Sequence, residues 1–321
     1  MSYSNTSIQI HLSQSQTSVQ IERLVQAIER TDRPAFEIIQ TRSGYERTQA
    51  TRLSRYFDAI QQMLDLFDDR YPYAYSKHLQ VFWLACQDIG LERSPVGPTC
   101  LNESGTGYLK FHQTMNVLVA RIRQLILGKW YKRKVDDRRY EVRQKQSTLT
   151  EYVSRVLDRY SRTVVVRVDL HYLAIARLRL RIEHVFEDLD LLVRARERNR
   201  IFKFETGYIC AVEQGEDKGF HIHAAFFFNG AEVRSDFSKA REIGDLWEQI
   251  TRGQGYYYSC NDAKGSYGDE LGIGTIRRAD IQACGKVIKA MHYLVKDDQH
   301  LRIKPPGARS FRTGRIQKAN A

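Results

Sequence analysis

Cysteine is scarce in this sequence of 321 residues, and the few cysteines are spread along the chain. The five cysteines are odd in number, and no two of them form a CxxC pair. This arrangement argues against a disulfide framework and against a zinc ribbon, because both need paired and closely spaced cysteines. We therefore expect reduced thiols, as in proteins of the cytoplasm.

Long apolar runs and nucleotide-binding loops are also missing. No apolar stretch approaches the roughly 18 residues that a membrane-spanning helix requires, and the polar segment from Met1 to Gln16 predicts no signal peptide. The sequence has no GxxxxGK[ST] loop, so it is not expected to be an ATP-driven helicase itself. These absences predict a soluble protein with no membrane partner.

Positive charge is in clear excess. Fifty lysines and arginines stand against 38 aspartates and glutamates, which gives a net charge of +12. Such a balance favours a polyanionic partner, most often nucleic acid. The alternative is a merely basic protein without such a partner.

The apolar residues divide the chain into two domains with polar ends. Segment 1–18 is predicted to be disordered, and the basic tail 316–321 ends the chain. Apolar residues at helical spacing predict a helical domain over 19–138, a candidate for DNA binding. The segment 139–315 is predicted to be a second domain of the α+β class, with helices packed on an antiparallel sheet. Its strands and helices are expected in the order β-α-β-β-α-β-α, over 163–170, 178–193, 208–212, 220–228, 237–250, 256–260 and 281–295.

Two groups of cations are candidates for contact with DNA. The first group consists of Lys129, Lys132, Arg133 and Lys134, which lie on either side of the aromatic residues Trp130 and Tyr131. Cations beside aromatic side chains suit phosphate contact and base stacking, but the segment also fits an exposed helix terminus and linker. The second group includes Arg309 and Arg312, in a C-terminal stretch without acidic residues.

The triplet His221-Ile222-His223 lies inside a predicted strand. Residues i and i+2 of a strand point to the same face, so the two imidazoles project side by side and can bind one divalent ion. If the preceding hairpin closes at 215–219, Glu213 pairs with His221 and stands on that face as a third ligand. Asp169 is the alternative third ligand, although Arg167 beside it favours an ion pair.

A tyrosine follows the histidine pair by roughly 70 residues, on a helix predicted from about 281 to 297. Because i and i+3 share a helix face, Tyr293 and Lys296 can reach the same phosphate. Lys289 lies one turn earlier on that side. A phenol needs a nearby metal or cation to act as a nucleophile, so the value of this motif depends on the histidines.

This combination resembles the HUH (His-hydrophobe-His) endonucleases, which include rolling-circle replication initiators, relaxases and some transposases. Within them the chain is most similar to phage and prophage replication proteins of the inovirus Gp2 and YagK/YfjJ type. The residues that carry the similarity are the strand 165–170, Glu213, His221-Ile222-His223 and the segment 293–299. The resemblance implies an HUH nuclease domain of the ferredoxin/RRM-like kind over 139–315, with metal-binding histidines that hold Mg²⁺ or Mn²⁺. No second tyrosine lies one turn from Tyr293, so it implies a one-tyrosine mechanism.

The resemblance also implies an activity. Tyr293 would nick single-stranded DNA at a replication origin, remain joined to the 5′ side of the nick and release a 3′-OH, with Lys296 assisting. A host helicase and polymerase would then act, in the cytoplasm of a bacterial host. Two alternatives stay open, namely a non-catalytic nucleic-acid-binding or regulatory protein on the same fold, and a transposase or relaxase.

Overall fold

The computed structural model describes residues 11–40, 45–67, 70–95, 97–295 and 301–315. The chain divides into two compact units, Met1–Val135 and Asp136–Ala321. Within the described ranges, no helix has the length and apolar character needed to cross a membrane.

The N-terminal unit is built mainly from helices. Helix α1 carries the buried side chains Ile21, Leu24 and Ile28 and packs against α3 and α4. The helices are α1 (Gln14–Glu29), α2 (Ile60–Asp65), α3 (Lys77–Asp88) and α4 (Phe111–Ile126), and the strands are β1 (Phe36–Gln40), β2 (Glu46–Ala50) and β3 (Ala74–Tyr75).

Two features of this unit differ from the prediction. Helix α1 begins at Gln14, inside the stretch predicted to be disordered up to residue 18, because Ser13 and Gln16 form a capping box that starts it. Residues 1–10 lie outside the described residues. Strands β1 and β2 form an antiparallel hairpin within a domain predicted to be helical. Their residues are mostly exposed, so they lack the alternation of buried and exposed positions that marks a strand.

Helix α5 (Lys129–Asp158) extends across the predicted boundary between the two domains at residue 138. It is one helix of 30 residues, and the segment 129–134, for which a helix terminus and linker was one of two interpretations, forms its first turns. No glycine or proline interrupts residues 129–158, so nothing in the backbone ends the helix. The boundary between the two units falls within it, after Val135, close to the predicted boundary at 138.

The C-terminal unit is an α+β domain around an antiparallel sheet. Its strands run in the order β10-β5-β6-β4-β7, and β8 also pairs with β4. The strands are β4 (Arg162–Tyr172), β5 (Glu205–Gly215), β6 (Gly219–Asn229), β7 (Gly255–Ser259), β8 (Gly274–Arg277), β9 (Ile303–Lys304) and β10 (Phe311–Thr313). The helices that follow α5 are α6 (Ala174–Arg177), α7 (Ile182–Arg198), α8 (Asp236–Ile250) and α9 (Ile281–His292). The predicted β-α-β-β-α-β-α order is confirmed, and the short strands β8, β9 and β10 were not predicted.

One face of the sheet is apolar at one end of β4 and polar at the other. On one face, Val165, Ile209 and Phe227 belong to a core cluster with residues of α5 and α9, while α8 packs against β4 from the opposite face. Further along β4 the positions that follow Val165 at alternate spacing are Arg167, Asp169 and His171, which point to the α9 face. The core on this face therefore gives way to a polar site.

Candidate metal centre

The hairpin of β5 and β6 brings a carboxylate to the two histidines. Its register pairs Glu213 with His221 and Ala211 with His223, and it closes at Gly215 and Gly219, as the sequence predicted. Glu213 and both histidines are at most 6% exposed as whole residues. One ligand atom from each of Glu213, His221 and His223 lies within 4.8 Å of the other two.

Both imidazoles present the same nitrogen to Glu213. His221 Nδ1 lies 3.0 Å from the carbonyl oxygen of Gly219, and His223 Nδ1 lies 2.5 Å from Asp169 Oδ1. Because Nδ1 of each ring is engaged in this way, Nε2 is the ring nitrogen that can bind a metal. The two Nε2 atoms lie 3.6 Å and 3.0 Å from Glu213 Oε2. Two imidazoles and one carboxylate therefore fit a divalent ion.

Asp169 holds His223 in place. The two residues are directly opposed across β4 and β6, and Asp169 Oδ1 also lies 3.6 Å from Arg167 Nε. The ion pair between Arg167 and Asp169 that the sequence suggested is therefore present. Asp169 also contacts Nδ1 of His223, the ring nitrogen that points away from Glu213. Such carboxylate partners fix the ring orientation of metal-binding histidines.

The two carboxylates also set the charge of His223. Burial would lower its pKa, but the hydrogen bonds to Asp169 and Glu213 outweigh burial and raise the pKa to about 9. Burial would raise the pKa of Asp169, yet the hydrogen bond from His223 and the Arg167 charge lower it. Without metal, His223 therefore carries a proton at neutral pH that a bound ion must displace.

Metal affinity is consequently expected to increase with pH. Because binding releases the His223 proton at any pH below the pKa of about 9, affinity should rise about tenfold per pH unit between roughly pH 6 and 8. Titration with Mn²⁺, followed by electron paramagnetic resonance at several pH values, measures this slope. The Tyr293→Phe variant keeps all three ligands and should give the same slope. An affinity that does not change with pH would contradict this account of the site.

Tyr293 lies beside the cluster. It directly follows the last residue of α9, its ring centroid is 6.3 Å from that of His223, and it is 39% exposed. The end of α9 is fixed because Met291 packs into the core and His292 Nε2 lies 2.7 Å from Thr150 Oγ1. The helix was predicted to continue to residue 297, but it ends at His292 and a 3-10 turn covers Tyr293–Val295.

The cation that the structure describes next to the Tyr293 ring is an arginine of β4. Lys289 pairs with Glu270 at 2.5 Å in an exposed position, and Lys296 lies outside the described residues. The guanidinium carbon of Arg167 is instead 5.1 Å from the Tyr293 ring centroid. Arg167 is 7% exposed, and its Nε has no hydrogen-bond partner within the described part of the chain. The alternation along β4 could have revealed this residue, which the sequence suggested only as a partner of Asp169.

His171 belongs to the same face, although its spacing did not recommend it. Its ring stacks on His221 at 5.3 Å and on Tyr256 at 5.1 Å between centroids. Burial, with the nearby charges of His221 and Lys218, lowers its pKa to about 4, so it stays neutral. Next to this stack, Tyr256 and Tyr258 are opposed to His171 and Asp169 and are 38% and 48% exposed.

The predicted DNA-contacting cations belong to both units. Four of them are exposed on the first turns of α5: Lys129, Lys132, Arg133 and Lys134. Tyr131 between them is buried, with its hydroxyl on Glu29, so it is not available to stack on bases. At the other end of the chain, Arg309 is exposed, whereas Arg312 pairs with Asp190. The tail 316–321 lies outside the described residues.

Comparison with known proteins places the site within a family. Residues 130–304 match the model of the YagK/YfjJ C-terminal domain family, and this range contains Glu213, both histidines and Tyr293. No curated protein and no solved structure matches the chain significantly. Because the match covers more than half of the chain, the protein belongs to the YagK/YfjJ C-terminal domain family.

Proposed function

We propose that this protein is a metal-dependent HUH endonuclease that nicks single-stranded DNA and attaches to its 5′ side through Tyr293. The observation that carries the proposal is the buried Glu213, His221 and His223 cluster with the Tyr293 ring 6.3 Å from His223. A nucleophile next to a divalent-ion site is an arrangement that suits phosphodiester transfer. We further propose that it initiates replication of a phage, prophage or satellite element, in the cytoplasm of a bacterial host.

The connectivity of the sheet supports this class. Strands β4 to β7 lie in the sheet in the order β5-β6-β4-β7. Along the chain, α7 connects β4 to β5 and α8 connects β6 to β7. This β-α-β-β-α-β order supports the ferredoxin/RRM-like arrangement that we propose for the domain. The two histidines then lie on β6, in the middle of the sheet and facing α9.

The donor set suits Mg²⁺ or Mn²⁺, held by Glu213 and the Nε2 atoms of His221 and His223. An ion bound there would polarise a phosphate oxygen of the DNA. The histidine rings are already oriented by Gly219 and Asp169, so the site needs little rearrangement.

The nucleophile that attacks the DNA phosphodiester is a side chain of the protein. The Tyr293 oxygen forms a bond to phosphorus as the bond from phosphorus to the 3′ oxygen breaks. The phenol proton leaves to solvent and the departing 3′ oxygen takes up a proton, so the reaction consumes no other reagent. The phosphotyrosine bond conserves the energy of the phosphodiester, which allows rejoining. The free 3′-OH would prime a host polymerase behind a host helicase.

Arg167 is the cation that we propose at the reacting phosphate, together with Lys296 as predicted from the sequence. A guanidinium offers several N–H donors to phosphate oxygens, and a nearly buried one is only weakly screened by water. Its position over the Tyr293 ring also holds the phenol near the cluster. The exposed Tyr256 and Tyr258 would stack on unpaired bases beside the site.

Replacement of Arg167 tests this role. We expect Arg167→Gln to slow nicking about 100-fold, because a charged donor to the reacting phosphate is lost, and Arg167→Lys to recover part of the rate. Mn²⁺ affinity and thermal stability of the two variants show whether the site and fold remain intact. Nicking by Arg167→Gln at the wild-type rate would exclude the role.

The activity itself is tested with single-stranded DNA. The protein is incubated with labelled oligonucleotides that tile the DNA around its own gene, with Mn²⁺ or with EDTA, and separated under denaturing conditions. A metal-dependent adduct together with a free 3′ product supports the proposal. Gel shifts without any adduct on any oligonucleotide would favour the non-catalytic binding protein.

A further inference from the structure

A basic cavity lies in the N-terminal unit, outside the residues that match the family. It has a volume of about 660 Å³ and opens between the end of α1, the β1–β2 hairpin and the segment after β2. Four arginines and one carboxylate are among its lining residues: Arg30, Arg33, Arg52, Arg55 and Glu37. The charge of this cavity is therefore strongly positive.

The charge of the four arginines is not offset by ion pairs among the described residues. None of them forms an ion pair with a carboxylate of the described residues, whereas in the same unit Arg93 pairs with Asp65 at 2.8 Å and Arg121 with Asp88 at 2.7 Å. Like charges that converge on one concave surface repel one another. A bound anion would remove that repulsion.

The walls of the cavity are held in place by the rest of the unit. Arg123 donates to the carbonyl oxygens of Thr31 and Arg33 at 2.9 Å and 3.0 Å. The hydroxyl of Thr51 donates to the carbonyl oxygen of Pro34 at 2.9 Å. The segments before and after the hairpin are thus tied together, and a ligand would meet a preformed site rather than order a loose one.

We infer that this cavity binds phosphate groups of the DNA backbone. Guanidinium forks match phosphate geometry, and all four arginines are exposed enough to reach a strand passing over the surface. The one aromatic side chain among the described lining residues is Tyr56, and Arg55 lies over its ring at 5.2 Å. Because Arg55 covers the Tyr56 ring, that ring is not open for a base to stack on, so the cavity is poorly suited to the base of a free nucleotide. The inference does not depend on the nicking activity.

The test compares two variants of the full-length protein with equal loss of charge. Arg33→Gln/Arg52→Gln alters the cavity, and Arg93→Gln/Arg121→Gln removes two arginines of the same unit that do not line it, the exposed Arg93 and the half-buried Arg121. Anisotropy of a labelled 20-base-pair duplex, measured over a range of salt concentrations, is expected to show about tenfold weaker binding for the cavity variant. Its slope of log affinity against log salt should fall by about two, while the control variant retains both values.

Three results would overturn the inference. The first is equal weakening in both variants, which would reflect overall charge alone. The second is unchanged DNA binding by the cavity variant with native thermal stability. The third is wild-type binding of ATP or dAMP that the cavity variant loses while its DNA affinity stays the same, which would assign the cavity to free nucleotides. Adduct formation on a short oligonucleotide, measured in parallel, reports the Tyr293 chemistry separately.

Discussion

Replacing Tyr293 with Phe is expected to abolish the covalent adduct with DNA. The substitution removes one oxygen and keeps the ring that contacts His223 and Arg167. Because Tyr293 is 39% exposed, loss of its hydroxyl should change stability and DNA binding very little. The adduct is scored on a denaturing gel with Mn²⁺ and a cleavable oligonucleotide, and DNA binding is scored by gel shift.

Tyr258→Phe is the matched control for this experiment. Tyr258 is 48% exposed on the same side of the sheet and loses the same single oxygen, so the variant should still form the adduct. If the adduct persists in Tyr293→Phe and disappears in Tyr258→Phe, the nucleophile is Tyr258 of β7 rather than Tyr293.

Loss of either histidine ligand should remove metal-dependent nicking. In His221→Ala or His223→Ala, one imidazole and Glu213 remain, and we expect Mn²⁺ affinity to fall by more than about 100-fold, beyond the effect typical of supporting residues. For Glu213→Ala we expect a loss of about 10- to 100-fold. Isothermal titration with Mn²⁺ measures the affinities, and the adduct assay measures the activity.

His11→Ala serves as the control, because His11 is exposed in the other unit. It should bind Mn²⁺ and nick as the wild type does. Normal metal-dependent nicking by both His221→Ala and His223→Ala would mean that the ion is held elsewhere.

The sequence predicted that Glu213, His221 and His223 lie together because a hairpin has few possible registers. Glycines at 215 and 219 mark where the chain turns, and the period of two along a strand then determines which residues share a face. The observed pairing of Glu213 with His221 follows from this rule. The chain order of the longer strands and helices of the C-terminal unit was likewise predictable as an α+β pattern, since these elements have a clear apolar period.

Other features depend on contacts that no local pattern reveals. The apolar spacing of α9 continues through Leu294 and Val295, so the change to a 3-10 turn at Tyr293 could not be seen in it. Arg167 is adjacent to Tyr293 only because α9 packs on β4's face of the sheet. The basic cavity is formed by residues of loops and helix ends that show no periodicity.

The most direct test of the account is to identify the residue that carries DNA. Wild-type protein is reacted with a cleavable oligonucleotide and Mn²⁺, digested with nuclease and protease, and its peptides are analysed by mass spectrometry. We predict a nucleotide attached through phosphate to Tyr293, present with Mn²⁺ and absent with EDTA. Attachment to a different residue, or an adduct that forms equally well in EDTA, would contradict the account.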